Sequence, residues 1–364
     1  MAETEAQSTA VSTADTPLQT EEILPLPVDT LEVPGTKYAY STLEDEEKRI
    51  YEALYTGFSK GIFSFETDID PELLSHVFSV LYRDCPEFFC LTGECEINDG
   101  VFRAGIWTFG EERAELEKSL QAVQAKVLSA TAEGFSDYDK LLYAFCHTGR
   151  SAEYSKGAYA QYEKGKMTKT VYRSLCALGP LVDGASICEG YAEALVYLFQ
   201  SMGFASAVVP GHTSGGYHAW TVVEIMGECY IVDPTWGDPT SSTGDNIHNL
   251  NYYYFCATDK EIAGTHTPDS PYAVPSCQSY KLNYFINEGL YLTECDTEAV
   301  YKMVCDARDK GLPSVSVLFD DTETGNDTYK AIKLGAFTNY PGAEDISYTV
   351  TYSKNKKILT VTFR

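Results

Sequence analysis

The spacing of apolar positions changes along the chain, and each change marks an element. Ile50, Leu54 and Phe58 recur at helical spacing, and Ser41 with Glu44 ahead of them makes a capping box. "IFSF" at 62–65 predicts a short strand. Asp70-Pro71 then opens a second helix that turns Leu74, Val77, Phe78 and Leu81 inward. "VFRAGIWTF" predicts a further strand. A long charged helix starts near Glu111 with Leu116, Leu120, Val123 and Val127 on one stripe. Ser136 and Asp139 cap another, carrying Leu142, Tyr143 and Phe145. Every pattern up to here reads as scaffold.

From about residue 170 the texture changes. "LGPLVDGAS" is a loop, and "ICEGYAEALVYLFQSMGF" is a helix closed by Gly203, with Tyr191, Leu195, Leu198 and Met202 as its buried stripe. "ASAVVP" is a strand. "GGYHAWTVVEIMGECYIVDPTW", residues 215–236, is two strands around a tight turn at Met226-Gly227. A Gly/Ser/Thr/Asp loop at 237–246 and the aromatic run "NYYYF" follow. Beyond about 270 the order strand, helix, strand, helix, strand, strand predicts a small α/β domain ending in "KILTVTFR". Within it "DDTETGND" carries Thr322 and Thr324 where a calcium loop needs oxygen-rich acidic ligands, so it reads as a plain turn.

Charge narrows the function classes. The net charge of −26 speaks against nucleic acid, whose phosphates need clustered Lys and Arg. No apolar run reaches the length of a membrane span. Residues 2–35 hold seven acidic side chains and no Lys or Arg, a composition that predicts a disordered acidic tail with order beginning near Tyr38. No signal peptide is visible. A signal already removed would make the tail a tether at the cell surface or beyond the cytoplasm; otherwise the chain is cytoplasmic. Oligomeric state is not legible.

The eleven cysteines form no compact disulfide framework, and the five-residue spacing of Cys85, Cys90 and Cys95 is not that of a zinc knuckle. The six histidines are scattered, and His212 with His218 is no zinc helix motif. No metal and no cofactor are expected.

The hairpin carries the chemistry. Pairing Ile225 with Glu228 across the two-residue turn sets Trp220 opposite Asp233 and His218 opposite Thr235, so His218 and Asp233 become diagonal neighbours on one face. Such diagonals lie about 7–8 Å apart at the backbone, within reach of an imidazole and a carboxylate. A slip of one residue would separate them. Asp233 can then fix the His218 tautomer. Upstream, Cys188 stands where a glycine-bearing loop enters a helix. The positive end of the helix dipole and the unpaired N–H groups there favour a thiolate, and the small Gly190 and Ala192 let other backbone approach. Each residue has a duller reading: a small core cysteine, a hydrogen-bonded core histidine, an aspartate that begins a turn. Together they have the parts of a nucleophile, a base and its orienter.

"SICEGYAEAL", "GGYHAW" and "YIVDPTWGD" closely resemble the three signature blocks of the bacterial transglutaminase-like superfamily, in that family's order, over about residues 170–260. "YAYSTLEDEEKRIYEAL" and "DCPEFF" resemble the N-terminal region often attached to such domains. The resemblance implies an α+β chain with a papain-like core at 131–270. Ahead of it lie the tail at 1–36 and a helix-rich N-terminal α+β region at 37–130, and after it a C-terminal α/β domain at 271–364. It further implies Cys188 as nucleophile, His218 as general base and acid, and Asp233 as orienter, acting on a protein or peptide amide. Relatives often carry an aromatic where this chain has Leu178, which leaves the Cys188 backbone N–H as the oxyanion donor in view. Resolution of the acyl-enzyme by water makes a cysteine peptidase or amidase, the outcome favoured because no amine-binding feature is visible. Resolution by a lysine amine makes a transglutaminase. A non-catalytic cell-surface binding module that keeps the fold is the alternative from another class.

Overall fold

The computed structural model describes residues 23–237, 250–269 and 274–363. The tail up to residue 22, all but the first residue of the expected loop at 237–246, and the expected boundary at 270–271 lie outside the described residues.

The chain mixes helix and strand throughout, as an α+β fold does. Its N-terminal part is built on a four-stranded sheet in the order β1-β2-β4-β3. These strands are β1 (Leu24–Pro25), β2 (Ser64–Glu66), β3 (Leu91–Asn98) and β4 (Val101–Ile106). Packed contacts thus begin ahead of the expected start at Tyr38. Leu24 pairs with Phe65, the Leu31 N–H donates to Thr56 Oγ1 at 2.8 Å, and Val33 is buried in the local core. The acidic tally of this stretch hid two apolar anchors, Leu26 and Val33.

Two helices cover that sheet, α1 (Asp45–Ser59) and α2 (Pro71–Asp84). Ile50, Leu54 and Phe58 are buried on α1, but its capping box is Glu44 with Glu47 rather than Ser41 with Glu44. Ser41 instead hydrogen-bonds the Tyr38 carbonyl in the preceding turn. Asp70 caps α2 as expected, accepting from the Glu72 and Leu73 N–H groups. The long helix α3 (Gly110–Ala130) buries Leu120 and Val127 fully, and α4 (Asp137–Ser151) starts at the Ser136–Asp139 capping box.

The central layer is an antiparallel sheet in the order β10-β7-β8-β9. Its strands are β7 (Ala205–Thr213), β8 (Gly216–Ile225), β9 (Glu228–Val232) and β10 (Thr267–Pro268). A short parallel pair, β5 (Glu153–Tyr154) with β6 (Ala185–Ser186), leads into the helix α5 (Cys188–Ser201) that packs on this sheet. Every residue of α5 from Cys188 to Phe199 is buried, so the helix is enclosed on all sides and not amphipathic with a single inward stripe. The reason is its position between the sheet, α4 and the N-terminal part.

The last part runs β11 (Tyr291–Leu292), α6 (Thr297–Asp309), β12 (Ser314–Phe319), α7 (Thr322–Lys333), β13 (Tyr348–Ser353) and β14 (Ile358–Phe363). Its sheet is ordered β11-β12-β14-β13, with one parallel and two antiparallel pairings. "DDTETGND" is not a plain turn. Asp321 accepts from the Glu323 and Thr324 N–H groups and so caps α7. No described helix is long and apolar enough to cross a membrane.

Candidate active site

The turn between β8 and β9 takes Met226 and Gly227 at φ 52° and 75°, the left-handed conformations of a two-residue hairpin turn. Ile225 therefore faces Glu228, and the register runs to Thr221 opposite Val232. β9 stops there. Asp233 leaves the ladder and starts the turn Pro234–Gly237, its Oδ1 accepting from the Trp236 N–H at 3.1 Å. The turn-starting and orienting readings of Asp233 thus coexist on one carboxylate, since the second oxygen is free to face His218. The His218 Nε2–H donates to Asp233 Oδ2 at 2.7 Å, with both side chains buried.

Asp233 holds Nε2, which leaves Nδ1 open toward the Cys188 thiol, one of the groups that raise His218. Cys188 is the first residue of α5, where the backbone N–H groups have no carbonyl partner within the helix. The approach to it is tightly built. The Ser186 hydroxyl donates to the Ser174 carbonyl at 3.0 Å, and the Ile187 N–H donates to the same carbonyl at 3.1 Å. A side chain at Gly190 would land on the carbonyls of Ser174 and Cys176 and on the Ser186 hydroxyl. Glu189, next to Cys188, is buried, and its carboxylate accepts from the hydroxyls of Tyr82 (3.0 Å) and Tyr217 (2.8 Å). One helix start is thereby fastened to α2 and to β8 beside His218.

Burial works against a charged imidazole at His218. The adjacent Asp233 carboxylate, the bond to it and the Cys188 thiol outweigh that penalty and push His218 up to about 10. Burial likewise opposes charge on Asp233, but the charge and hydrogen bonds of His218 and His266 hold it well below the usual carboxylate range. Burial first, and charges that include the neighbouring Cys188 after it, push Tyr154 and Tyr162 up; both are half-buried and form with Tyr159 and Tyr217 an aromatic rim on this side. The rings neighbour one another at 5.9–6.5 Å between centroids.

His266 went unrecognised in the sequence. Its Nε2 lies 3.0 Å from Asp233 Oδ2, the same oxygen that serves His218, and the ring is fully buried. The histidines are therefore not all scattered. Nothing local marks His266, which reaches the site through the return of the chain to the edge strand β10. Ligand atoms of His218, Asp233 and His266 lie within 4.8 Å of one another, a grouping compact enough to consider for a metal ion. Their contacts of 2.7 and 3.0 Å are hydrogen-bond lengths, and an ionised carboxylate oxygen facing each ring nitrogen calls for a proton there. Cys85 and Cys90 are buried and Cys95 is half-buried, and none joins a cluster of metal-ligating side chains among the described residues.

Compared with models of known families, the chain matches none. Among characterised proteins it is similar to Kyphoscoliosis peptidase of Mus musculus, with 30% identity over 99 residues. That stretch is 23% of this chain and 15% of the mouse protein's length. Among solved structures it is similar to a TGase, at a TM-score of 0.31 and 14% identity over 50% of this chain and 52% of the other. It is also similar to a candidate cysteine protease from Cytophaga hutchinsonii, at 0.26 and 17% over 32% and 37%. Likenesses this low leave the functional reading to the site itself.

Proposed function

We propose that this chain is a thiol-dependent acyl-transfer enzyme with a transglutaminase-like, papain-like core, acting on amide bonds of proteins or peptides. One observation carries the reading: a buried imidazole, His218, is held by a carboxylate at 2.7 Å on one nitrogen, with the thiol that begins a helix among the groups that raise it. In this role His218 takes the Cys188 proton, and the thiolate attacks the substrate carbonyl carbon. The unpaired N–H groups at the start of α5, that of Cys188 first, face the developing oxyanion. His218 then delivers its proton to the departing amine, leaving a thioester. A water molecule, deprotonated by His218, releases the acid and restores the thiol. Asp233 keeps the ring in the tautomer that both proton transfers need. Hydrolysis is the favoured outcome, since no separate group for an amine acceptor stands out among the described residues. The peptidase name of the mouse relative is in keeping with it.

A short pulse of iodoacetamide at about pH 6, followed by peptide mapping, tests the reading. An ordinary free thiol, near pH ~8.5, is almost wholly protonated at that pH. Cys188, with an imidazolium at its side, is expected to label first. Burial pushes Cys85, Cys90, Cys176, Cys256 and Cys277 up, so they should lag. His218→Ala should abolish the advantage. Cys188 is buried, so the probe has to be this small. Another cysteine dominating, no labelling of Cys188 at any pH, or an unchanged pattern in His218→Ala would end the enzyme reading and leave a binding module.

A further inference from the structure

His266 is a buried titratable group in contact with the site that this mechanism does not use. We propose that His266 is a positioning residue: by donating Nε2–H to the Asp233 oxygen that also binds His218, it divides the carboxylate between two imidazoles and so sets how tightly His218 holds its proton. The proposal rests on the assignment of Cys188, His218 and Asp233 above, and goes beyond it by giving the second histidine a role.

The geometry supports it from three sides. The Nε2 atoms of His218 and His266 lie 2.7 and 3.0 Å from a single oxygen, Asp233 Oδ2. An ionised carboxylate only accepts, so each ring nitrogen facing it carries a proton. The His266 ring is held in an aromatic cage, with the centroids of Trp236, Trp220 and Tyr254 at 4.8, 5.0 and 5.9 Å. Its other nitrogen, Nδ1, meets the Thr265 hydroxyl at 2.8 Å, and its backbone N–H donates to the Ile262 carbonyl at 2.9 Å. A ring with both nitrogens engaged and its plane caged is fixed in orientation.

A hydrogen bond to a carboxylate draws off part of its charge, and what His266 takes is unavailable to His218. Asp233 would stay in place without His266, because the Trp236 N–H still holds Oδ1 at 3.1 Å. Removing the second donor should therefore strengthen the hold on the His218 proton. A base that must also return its proton to a leaving amine works best when that hold is moderate. The charged and titratable groups facing this set are Cys188 from α5, His218 from β8, Tyr254 from the turn at Tyr252–Tyr254 and Tyr154 from β5. Lys356 from the β13–β14 hairpin stands over Tyr254 at 4.5 Å from the ring centroid.

The test is 15N-histidine NMR on the full chain, read as a titration of His218 in wild type, His266→Phe and His266→Gln. Phenylalanine keeps a ring in the cage and removes the donor, whereas glutamine can restore one. In His266→Phe the His218 titration should move up by about half a pH unit or more, and His266→Gln should return it toward wild type. An unchanged or lowered His218 titration in His266→Phe overturns the proposal. Should both variants fail to fold, the wild-type spectrum still decides, because His266 must carry its proton on Nε2. A proton on Nδ1 alone overturns the proposal too. Iodoacetamide labelling separates the two levels: loss of low-pH labelling of Cys188 in wild type brings down the enzyme reading. Normal labelling with an unshifted His218 brings down the role of His266 alone.

Discussion

At the scale of single residues, Asp233 has both carboxylate oxygens engaged. One oxygen caps a turn and the other receives two imidazoles. An asparagine of the same shape offers one acceptor oxygen and one amide donor, so either the Trp236 N–H or the imidazole pair is left facing a donor. Asp233→Asn should still fold, with a loss of about 1–3 kcal/mol for the mismatched buried donor. In its proposed role the change costs on the order of 10²- to 10⁴-fold in amide turnover, and Cys188 labelling at about pH 6 falls to the level of the other thiols. The sign of the pH dependence follows from the pairing. His218 is raised from 6.5 to about 10, so in this window the folded chain binds more protons than the unfolded one, and stability falls as pH rises. Its contribution is complete below about 6.5 and disappears through about 10. Asp233, held low, contributes above its ordinary range near pH ~3.9 and loses that contribution as acid protonates it. The gap in melting temperature between wild type and Asp233→Asn should therefore be widest near pH 6 and narrow toward pH 10, down to the cost of the mismatched donor. A gap that stays constant across that window would separate the stability of the fold from this ion pair.

Among the elements, the start of α5 shows why a glycine is placed beside the nucleophile. The three atoms that a Gly190 side chain would meet include two backbone carbonyls, which cannot swing aside. Gly190→Ala should cost about 1–3 kcal/mol by overpacking, read as a lower denaturation midpoint, and should slow Cys188 labelling because the helix start has to shift. Gly157, in the short helix Lys156–Tyr162, has open space around it, so Gly157→Ala should leave the midpoint unchanged or raise it. Equal effects at both positions would show that the packing around Gly190 is not the cause. The same elements show what was legible beforehand. The β8–β9 register follows from a two-residue turn and strict alternation, and both are local. Asp70-Pro71 and Ser136 mark helix starts by side-chain chemistry within a few residues. β3 was not recognised because a register shift between Leu91 and Cys95 breaks its alternation. The all-round burial of α5 was hidden by Glu189 and Glu193, of which Glu189 finds its partners in Tyr82 and Tyr217 elsewhere in the fold. His266 is a further case, since its partner stands 33 residues earlier and no periodicity connects them.

For the whole molecule, the joints between parts matter more than the parts. The N-terminal part is fastened by a polar joint: buried Lys37 donates to Glu87 at 2.6 Å and to Gln200 at 2.7 Å. Gln200 in turn donates to the Asp84 and Ser206 carbonyls. The C-terminal part is joined differently, through one continuous apolar cluster. Trp220, Val222 and Ile231 of the central sheet pack in it together with Phe285, Leu318 and Ile358. Tyr252 stacks on Tyr284 with centroids 3.8 Å apart, and Lys356 covers Tyr253 and Tyr254. The rings at this joint also form part of the cage around His266. Phe285, Leu318 and Ile358 together account for roughly 5–9 kcal/mol of burial at ~1.5–3 kcal/mol each. That is comparable with the roughly 5–15 kcal/mol that holds a typical fold together. A chain ended after residue 269 should therefore lose its cooperative thermal transition, expose the Trp220 face of the sheet and aggregate, as seen by calorimetry and light scattering. It should also lose the low-pH labelling of Cys188, since the cage that orients His266 and Asp233 loses its outer wall. A truncated chain that melts cooperatively and still labels Cys188 first at about pH 6 would show that the central sheet and α5 are sufficient for the site. The shared cluster would then be a docking surface between independent domains.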